Sequence, residues 1–434
     1  MKFVLVNPNW DFTGSTYFGC RDAHVPLELL FAADQINAAG HEALVLDAHM
    51  HNLTLAETYL KADAFQPDFL VISTAPTYLF WRCPPPELRV PQEWAQQLCP
   101  EAVKVLIGPH ASATPAAVIR KTGCGVAMRG EPDQTLAELA TRPWSEIPGC
   151  CFKTDDGMHI SSTLAVADMK TLAPLTFGNY RIEAHSHRHH VFTGDPALGA
   201  ELEFARGCPW SCTFCNKTLF RNRFRERRVD TVLAEVDALL ARGVSYIYFI
   251  DEVFGVGQNA RRLLEGLAER PLTIGLQTRI DLWDETSLDL LARAHCISME
   301  CGIESISEEG RDELNKNCRI PTSRITELLL LARRRIPWVQ ANLVLTEKDN
   351  REQIRSWQDY LNGQGVWVSE PVPMFPYPGS PLYSQTFGAV PDDDAWERAH
   401  HYYTATFGAG GYSDIQERKP VPIEELEHAR PSDH

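Results

Sequence analysis

The chain has 434 residues, 44% of them hydrophobic and 23% charged, an ordinary globular composition with apolar material for more than one core. A formal net charge of −16 argues against broad, non-specific nucleic-acid binding, which runs on phosphate neutralisation. No apolar run approaches the length of a membrane span, and MKFVLVNPNWDF does not read as a signal peptide, so the sequence predicts a cytoplasmic protein with no membrane partner.

From the N-terminus, short β runs alternate with helical stretches. Strands are predicted at Lys2–Val6, Ala43–Leu46, Phe69–Ser73, Val103–Ile107 and Gly125–Met128, and the amphipathic stretch Pro26–Ala39 is closed by Gly40, a helix stop. This alternation predicts an α/β domain over residues 1–150, a doubly wound (Rossmann-like) parallel sheet. Such sheets bind ligands beyond the carboxyl ends of their strands. Those ends carry Asn7-Pro8, Asp47, Gly108-Pro109-His110 and Arg129-Gly130-Glu131.

Residues 151–200 read as a linker, with the breakers Pro174, Gly178, Gly194, Pro196 and Gly199 in its later part. It holds His185, His187, His189 and His190. Spacing of two would put three imidazoles on one face of a strand, so a metal site is open, although a solvated linker is the commoner outcome.

From Glu201 the alternation resumes. Strands are predicted at Glu201–Ala205, Tyr246–Ile250, Thr273–Gln277, Ile297–Cys301, Val339–Leu345 and Trp367–Pro371, with helices at Thr231–Arg242, Asn259–Glu269, Thr286–Ala294 and Ser323–Arg335. Six strand–helix units over residues 201–385 predict a partial (β/α)6 barrel of TIM type, since a full barrel needs eight strands. Residues 386–434, acidic and aromatic-rich in patches, read as a small C-terminal extension.

Of twelve cysteines, nine are scattered and three cluster in Arg206-Gly207-Cys208-Pro209-Trp210-Ser211-Cys212-Thr213-Phe214-Cys215, after the first barrel strand. Three thiolates on one loop can cap three irons of a four-iron cluster and leave the fourth open to another ligand. Structural zinc wants a second ligand pair at recognisable spacing, and none follows. Packing alone does not explain three thiols on one Gly- and Pro-containing loop. In Met299-Glu300-Cys301-Gly302, Cys301 is either a barrel-interior thiol near a substrate or, the commoner case, a buried inert one.

The C-x3-C-x2-C spacing in RGCPWSCTFC, after the first strand of a partial barrel, resembles the signature of radical S-adenosylmethionine (SAM) enzymes. The resemblance implies a 4Fe-4S cluster on Cys208, Cys212 and Cys215, SAM on its open iron, and reductive cleavage of SAM to a 5′-deoxyadenosyl radical that abstracts hydrogen from substrate. It further implies that Asp251 and Glu252, in Phe249-Ile250-Asp251-Glu252, receive SAM's ammonium group and that Arg279 reaches its carboxylate. Glu304, in Gly302-Ile303-Glu304-Ser305, would lie near the ribose. Leu314-Asn315-Lys316 and the barrel-closing segment Pro376-Tyr377-Pro378-Gly379-Ser380-Pro381-Leu382-Tyr383 continue the resemblance.

Residues 1–150 resemble the cobalamin-binding domain that precedes the barrel in one large radical SAM subclass. The matching pieces include Pro26-Leu27-Glu28-Leu29-Leu30, Ala39-Gly40-His41-Glu42, Leu46-Asp47, Gly108-Pro109-His110 with Pro115, and Arg129-Gly130-Glu131. Cobalamin contacts are thereby implied at Gly108, Pro109, His110, Gly130 and Glu131, with Gly108 letting backbone approach a flat macrocycle. The D-x-H-x-x-G motif that supplies an axial His is not present after the first strand. Asp47-Ala48-His49-Met50-His51-Asn52 begins it after the second strand and ends in Asn52, so no axial His is assigned.

Together the resemblances imply a cobalamin-dependent C-methyltransferase for a small molecule or biosynthetic intermediate, served by an electron donor such as a flavodoxin or ferredoxin. A cyclase or rearrangement enzyme with the same cofactors and a non-catalytic cobalamin or redox sensor are the alternatives. The basic stretch from Lys217 to Arg228, with interleaved aromatics, reads as a solvated helix approach, because the acidic net charge speaks against nucleic acid.

Overall fold

A computed structural model of the chain describes residues 1–16, 23–77, 84–178, 180–185, 198–407 and 421–428, the side chains of Thr218, Glu427 and His428 excepted. The N-terminal sheet begins with β1 (Lys2–Asn7), β2 (Glu42–Asp47), β3 (Phe69–Ser73), β4 (Val103–Ile107) and β5 (Val126–Met128), all parallel. Their order, β2-β1-β3-β4-β5, is flavodoxin-like and reverses direction between β1 and β3, where such sheets take ligands. The runs FVLV and FLVIS are buried throughout, as expected of strands covered on both faces. The cover comes from α1 (Leu27–Ala38), α2 (Leu55–Phe65), α3 (Arg89–Gln97), α4 (Pro109–Ala113) and α5 (Pro115–Thr122). A capping box starts α2, with Thr54 and Glu57 exchanging backbone and side-chain hydrogen bonds of 3.2 and 2.8 Å.

This sheet runs on past residue 150. β6 (Cys150–Thr154) and β7 (Gly157–Ile160) form a hairpin around Asp155-Asp156 that adds to β5 antiparallel. The hairpin covers the free edge of β5 and buries Cys150 and Cys151. The predicted boundary at 150 therefore falls inside the sheet.

The second half is the predicted partial barrel. β8 (Gly199–Leu202) is followed by a short antiparallel pair, β9 (Ala205–Arg206) with β10 (Arg225–Glu226), which brackets the cysteine loop. β11 (Tyr246–Phe249), β12 (Thr273–Thr278), β13 (Cys296–Glu304), β14 (Trp338–Leu343) and β15 (Trp367–Val368) complete a six-stranded parallel sheet in the order β8-β11-β12-β13-β14-β15. Between the strands lie α6 (Val229–Ala241), α7 (Gly257–Leu267), α8 (Glu285–Arg293), α9 (Glu308–Glu313), α10 (Thr322–Arg333) and α11 (Arg351–Gly363).

Alternation along these strands sorts their side chains. Ile247, Phe249, Leu276, Met299, Cys301, Val339 and Ala341 fall on one face and match the apolar stripes of the helices. Tyr248, Gln277, Ser298, Glu300, Gln340 and Asn342 fall on the other, which lines the lumen. A Cβ on Gly275 would meet Tyr246 and Tyr248, placing both tyrosines on that second face. Cys301 thus points at the helices rather than at a substrate, and burial pushes its thiol well up.

The C-terminal residues are more than an appendage. α12 (Pro381–Phe387) and α13 (Ala395–Phe407) build a small aromatic core of Phe375, Tyr377, Tyr383, Trp396 and Tyr403, and α14 (Ile423–His428) follows. The Trp396 indole donates to Thr114 Oγ1 (3.0 Å), and the Val421 amide donates to the Gly14 carbonyl (3.0 Å). The chain's end is thereby fastened to the first half.

Candidate active site

The loop from Glu203 to Cys215 leaves the C-terminal end of β8, on the face of such barrels that carries chemistry. Of the ten described cysteines, Cys208, Cys212 and Cys215 are partly exposed and the other seven are buried; all are free. Burial raises all three loop thiols, Cys215 to about 12, so binding iron must release protons. No group of three His, Cys, Asp or Glu among the described residues is arranged to hold a single metal ion. A cluster that takes one thiolate per iron asks for no such convergence, and three spare thiols on one loop fit it.

The loop's backbone is tied down on every side, which leaves the thiols over. Both Asp251 oxygens accept amides, Phe204 at 2.8 Å and Ala205 at 3.0 Å, where the chain passes from β8 to β9. Glu252 accepts the Gly207 amide at 2.9 Å and Arg221 at 3.4 Å. Asn315 donates to the Ser211 carbonyl, Thr213 to the Leu314 carbonyl and Leu382 to the Thr213 carbonyl (2.8, 2.9 and 2.8 Å). Gly207 has φ +82°, and a Cβ there would lie 2.0 Å from the Arg223 carbonyl oxygen, so only glycine fits.

Asp251 and Glu252, expected at SAM's ammonium group, carry backbone amides of the cysteine loop. Burial pushes the Asp251 carboxyl well above the usual range, the two amides oppose that shift, and Glu203 adds to it. These two residues position the loop.

Arg279 and Glu304 come together beside Cys212. Arg279 forks onto Asp281 (3.0 and 2.7 Å), donates to the Lys316 carbonyl (2.6 Å) and stacks 4.1 Å over the Trp210 ring. Glu304 accepts from Lys316 Nζ at 3.0 Å. Lys316, Glu304 and Arg279 all act electrostatically on the Cys212 thiol. The set offers both signs of charge within one corner, as the amino-acid end of SAM requires. Glu304 has φ +68°, a left-handed conformation rare for a non-glycine residue and concentrated at functional sites. A Cβ on residue 302 would lie 2.5 Å from Glu304 Oε1, so Gly302 makes its room. The sequence reading took Lys316 only as part of a run; a buried lysine gives no linear signal.

The residues expected around cobalamin separate. Gly108 and Pro109 stand at the end of β4, Gly108 with φ +118°. His110 is wholly buried, its ring centroid 4.1 Å from that of Trp396 and its imidazole beside the backbone of Pro85 and Thr74. Burial lowers it to about 3, so it stays neutral under the helix α13. Gly130 instead packs on Ala165, whose carbonyl oxygen would lie 2.2 Å from a Cβ, and Glu131 is an ion-pair partner. Gly130 and Glu131 are thus contacts within the protein, not part of an open slot. Beside the β1/β3 reversal, the fully buried Thr74 hydroxyl has no hydrogen-bond partner among the described residues. An orphaned polar group there fits a ligand at the end of the sheet.

A buried charge network joins the halves. Arg206 donates to Glu203 (2.7 Å), to both oxygens of Asp133 (2.8 and 2.9 Å) and to Glu131 (3.3 Å). Arg221 reaches Glu203 (2.9 Å), Glu252 (3.4 Å) and Glu28 of α1 (3.2 Å), and Arg225 forks onto Glu131 (2.5 and 3.0 Å). The basic stretch read as solvated is therefore largely internal. Burial raises Glu28 to about 7, with Arg221 opposing and Glu203 reinforcing the shift. Its folded value lies above the unfolded one, so its contribution is present below about pH 4.5 and lost as pH rises through 7. Relative to Glu28→Gln, wild type is expected to lose about 2.5 kcal/mol of stability between pH 5 and pH 8. Urea unfolding of both proteins across that range checks this; parallel pH profiles would contradict it.

His185, first of the histidine run, is buried with Nε2 2.9 Å from Glu201 Oε2, and Glu201 also meets His24 and the Val25 amide (3.0 Å). His187, His189 and His190 lie outside the described residues.

Residues 202–361 match the family model of the Radical SAM superfamily. The chain carries a radical SAM domain. Hopanoid C-3 methylase of Methylococcus capsulatus is 26% identical over 349 residues, 76% of this chain and 64% of that protein. Anaerobic magnesium-protoporphyrin IX monomethyl ester cyclase of Cereibacter sphaeroides is 23% identical over 427 residues, 89% of this chain and 63% of that one. The chain thus spans less than two thirds of the length of these two relatives. The radical SAM methyltransferase TsrM of Kitasatospora setae, solved with tryptophan substrate and a SAM analogue, superposes with a TM-score of 0.68 at 18% identity, over 89% of this chain and 76% of that one. Another structure of TsrM holds cobalamin and a 4Fe-4S cluster. The radical SAM domain and its N-terminal sheet therefore share the fold of cobalamin-binding radical SAM enzymes, and no described helix is long and apolar enough to cross a membrane.

Proposed function

We propose that the protein is a cobalamin-dependent radical SAM methyltransferase acting on a carbon of a small molecule. The observation that carries this reading is the loop of three partly exposed thiols, anchored by its backbone beside Arg279, Glu304 and Lys316 and fastened to a flavodoxin-like sheet. When bound, the cluster supplies the electron that cleaves SAM, and cobalamin supplies a carrier for the methyl group. Cys208, Cys212 and Cys215 hold the cluster. Lys316 and Arg279 face SAM's carboxylate and Glu304 its ammonium group. Asp251 and Glu252 keep the loop in register, Gly108 and Thr74 border the cobalamin site, and the buried charge network fixes the two halves. Electrons come from a small redox protein such as a flavodoxin or ferredoxin.

The methyltransferase relatives support this reading, while the cyclase marks its competitor. The test is anaerobic reconstitution with iron, sulfide, hydroxocobalamin and trideuteromethyl SAM, presented with metabolite fractions. The expected result is a product carrying the trideuteromethyl group, formed only with cobalamin present. Substrate conversion without label, or undiminished when cobalamin is withheld, would favour ring closure or rearrangement.

A further inference from the structure

Trp210 stands between the residues assigned to the cluster and those assigned to SAM. It lies between Cys208 and Cys212, and its neighbours Pro209 and Ser211 are exposed while Trp210 is half-buried. Its ring lies 4.1 Å over the Arg279 guanidinium. Its amide lies beside the Cys208 thiol and opposes the upward push that burial gives that thiol. One residue thus meets a cysteine of the loop through its backbone and the end of β12 through its side chain. Arg279 is only 5% exposed, and its guanidinium is fixed from three directions. It forks onto Asp281 (3.0 and 2.7 Å), donates to the Lys316 carbonyl (2.6 Å), and has one face covered by the Trp210 ring. The Lys316 ammonium in turn holds Glu304 at 3.0 Å. Trp210, Arg279, Lys316 and Glu304 therefore form an unbroken series of contacts from the cysteine loop to the end of β13. A ring attracts the cation over its face through its quadrupole, whereas an aliphatic side chain of similar bulk only excludes water. Without the ring, the guanidinium keeps Asp281 but loses the contact that sets its distance from the loop.

Resting on the placement of SAM's amino-acid end in this corner, we infer that Trp210 is a positioning residue for SAM. Its ring, acting through Arg279, keeps the corner of Arg279, Lys316 and Glu304 in register with the cysteines, so that one ligand can meet both. The experiment titrates aza-SAM, which lacks the sulfonium bond that is cleaved, into reduced, iron-loaded protein. The electron paramagnetic resonance signal of the cluster then reports binding without turnover. Trp210→Leu should bind the analogue about tenfold more weakly than wild type, the loss of one partly desolvated cation–π contact. Trp210→Phe, which restores a π-face, should stay within about threefold of wild type. Both should keep wild-type iron, because the loop is held by its backbone. Adding Trp210→Leu to Arg279→Gln should cost nothing further, since the ring then has no cation to hold. Wild-type affinity in Trp210→Leu, an equal loss in Trp210→Phe or additive losses in the double variant would overturn the inference. Loss of iron from Trp210→Leu would overturn it as well, because the ring would then serve the loop's own fold. Wild-type affinity in Arg279→Gln would instead remove SAM from this corner and take the role of Trp210 with it.

Discussion

Changing Cys208, Cys212 and Cys215 together to alanine is expected to remove all cluster iron while leaving the fold intact. Wild type should bind about four irons per chain and the variant none, because the other seven described cysteines are buried and scattered. The fold should survive because the loop is held by its backbone. Its anchors are the carboxylates of Asp251 and Glu252 and the Asn315 amide, none of which touches a thiol in the contacts described above. The urea midpoint of the metal-free proteins should therefore agree within about 1 kcal/mol, as for changes that break no buried network. Iron at the wild-type level in the variant, counted by a colorimetric assay, would remove the cluster from this loop.

Arg206→Ala should have the largest effect on stability. Arg206 is fully buried, and its guanidinium is shared by Glu203, Asp133 and Glu131, with the Phe31 ring 5.5 Å away. Burial alone would lower its pKa; Asp133 and Glu203 more than offset that and hold it well above the ordinary arginine value. Removing it leaves buried Asp133 without a cation, and leaves Glu203 and Glu131 with only Arg221 and Arg225. Breaking a buried ion pair from one side typically costs about 3–5 kcal/mol. Arg206→Lys should recover only part of this, since an ammonium group cannot fork onto Asp133. A fall of that size in urea unfolding, accompanied by poorer iron loading because residue 206 adjoins the cysteine loop, is the expected result. Unchanged stability would show that the halves are held by something else.

Much of this architecture was legible in the residues. Buried runs such as FVLV and FLVIS and the strand–helix alternation fixed both sheets, and RGCPWSCTFC named its own chemistry. The β6–β7 hairpin escaped because CCFKT and GMHI are short and adjoin a stretch whose breakers, from Pro174 on, read as linker. The orientation of Glu300 and Cys301 is legible in SMECG, where alternation places Ser298, Glu300 and Gly302 on one face and Met299 with Cys301 on the other. The role of Asp251 could not be read from the chain, because a carboxylate at a strand end looks the same whether it meets a ligand or two backbone amides. The charge network was equally hidden. Glu28 and its partner Arg221 are 193 positions apart, and Glu131 and Arg206 75 apart, and each pair meets only when the two halves dock. Charge runs on a sequence default to solvent, and here tertiary contact overrode that default.

The most direct test of the central claim is SAM cleavage itself. Anaerobically reconstituted wild type, holding its full complement of iron, should convert SAM to 5′-deoxyadenosine and methionine when dithionite is added. It should form none without reductant, and the triple cysteine variant should form none under either condition. Absence of 5′-deoxyadenosine from fully loaded wild type, or equal formation by the triple variant, would contradict the account.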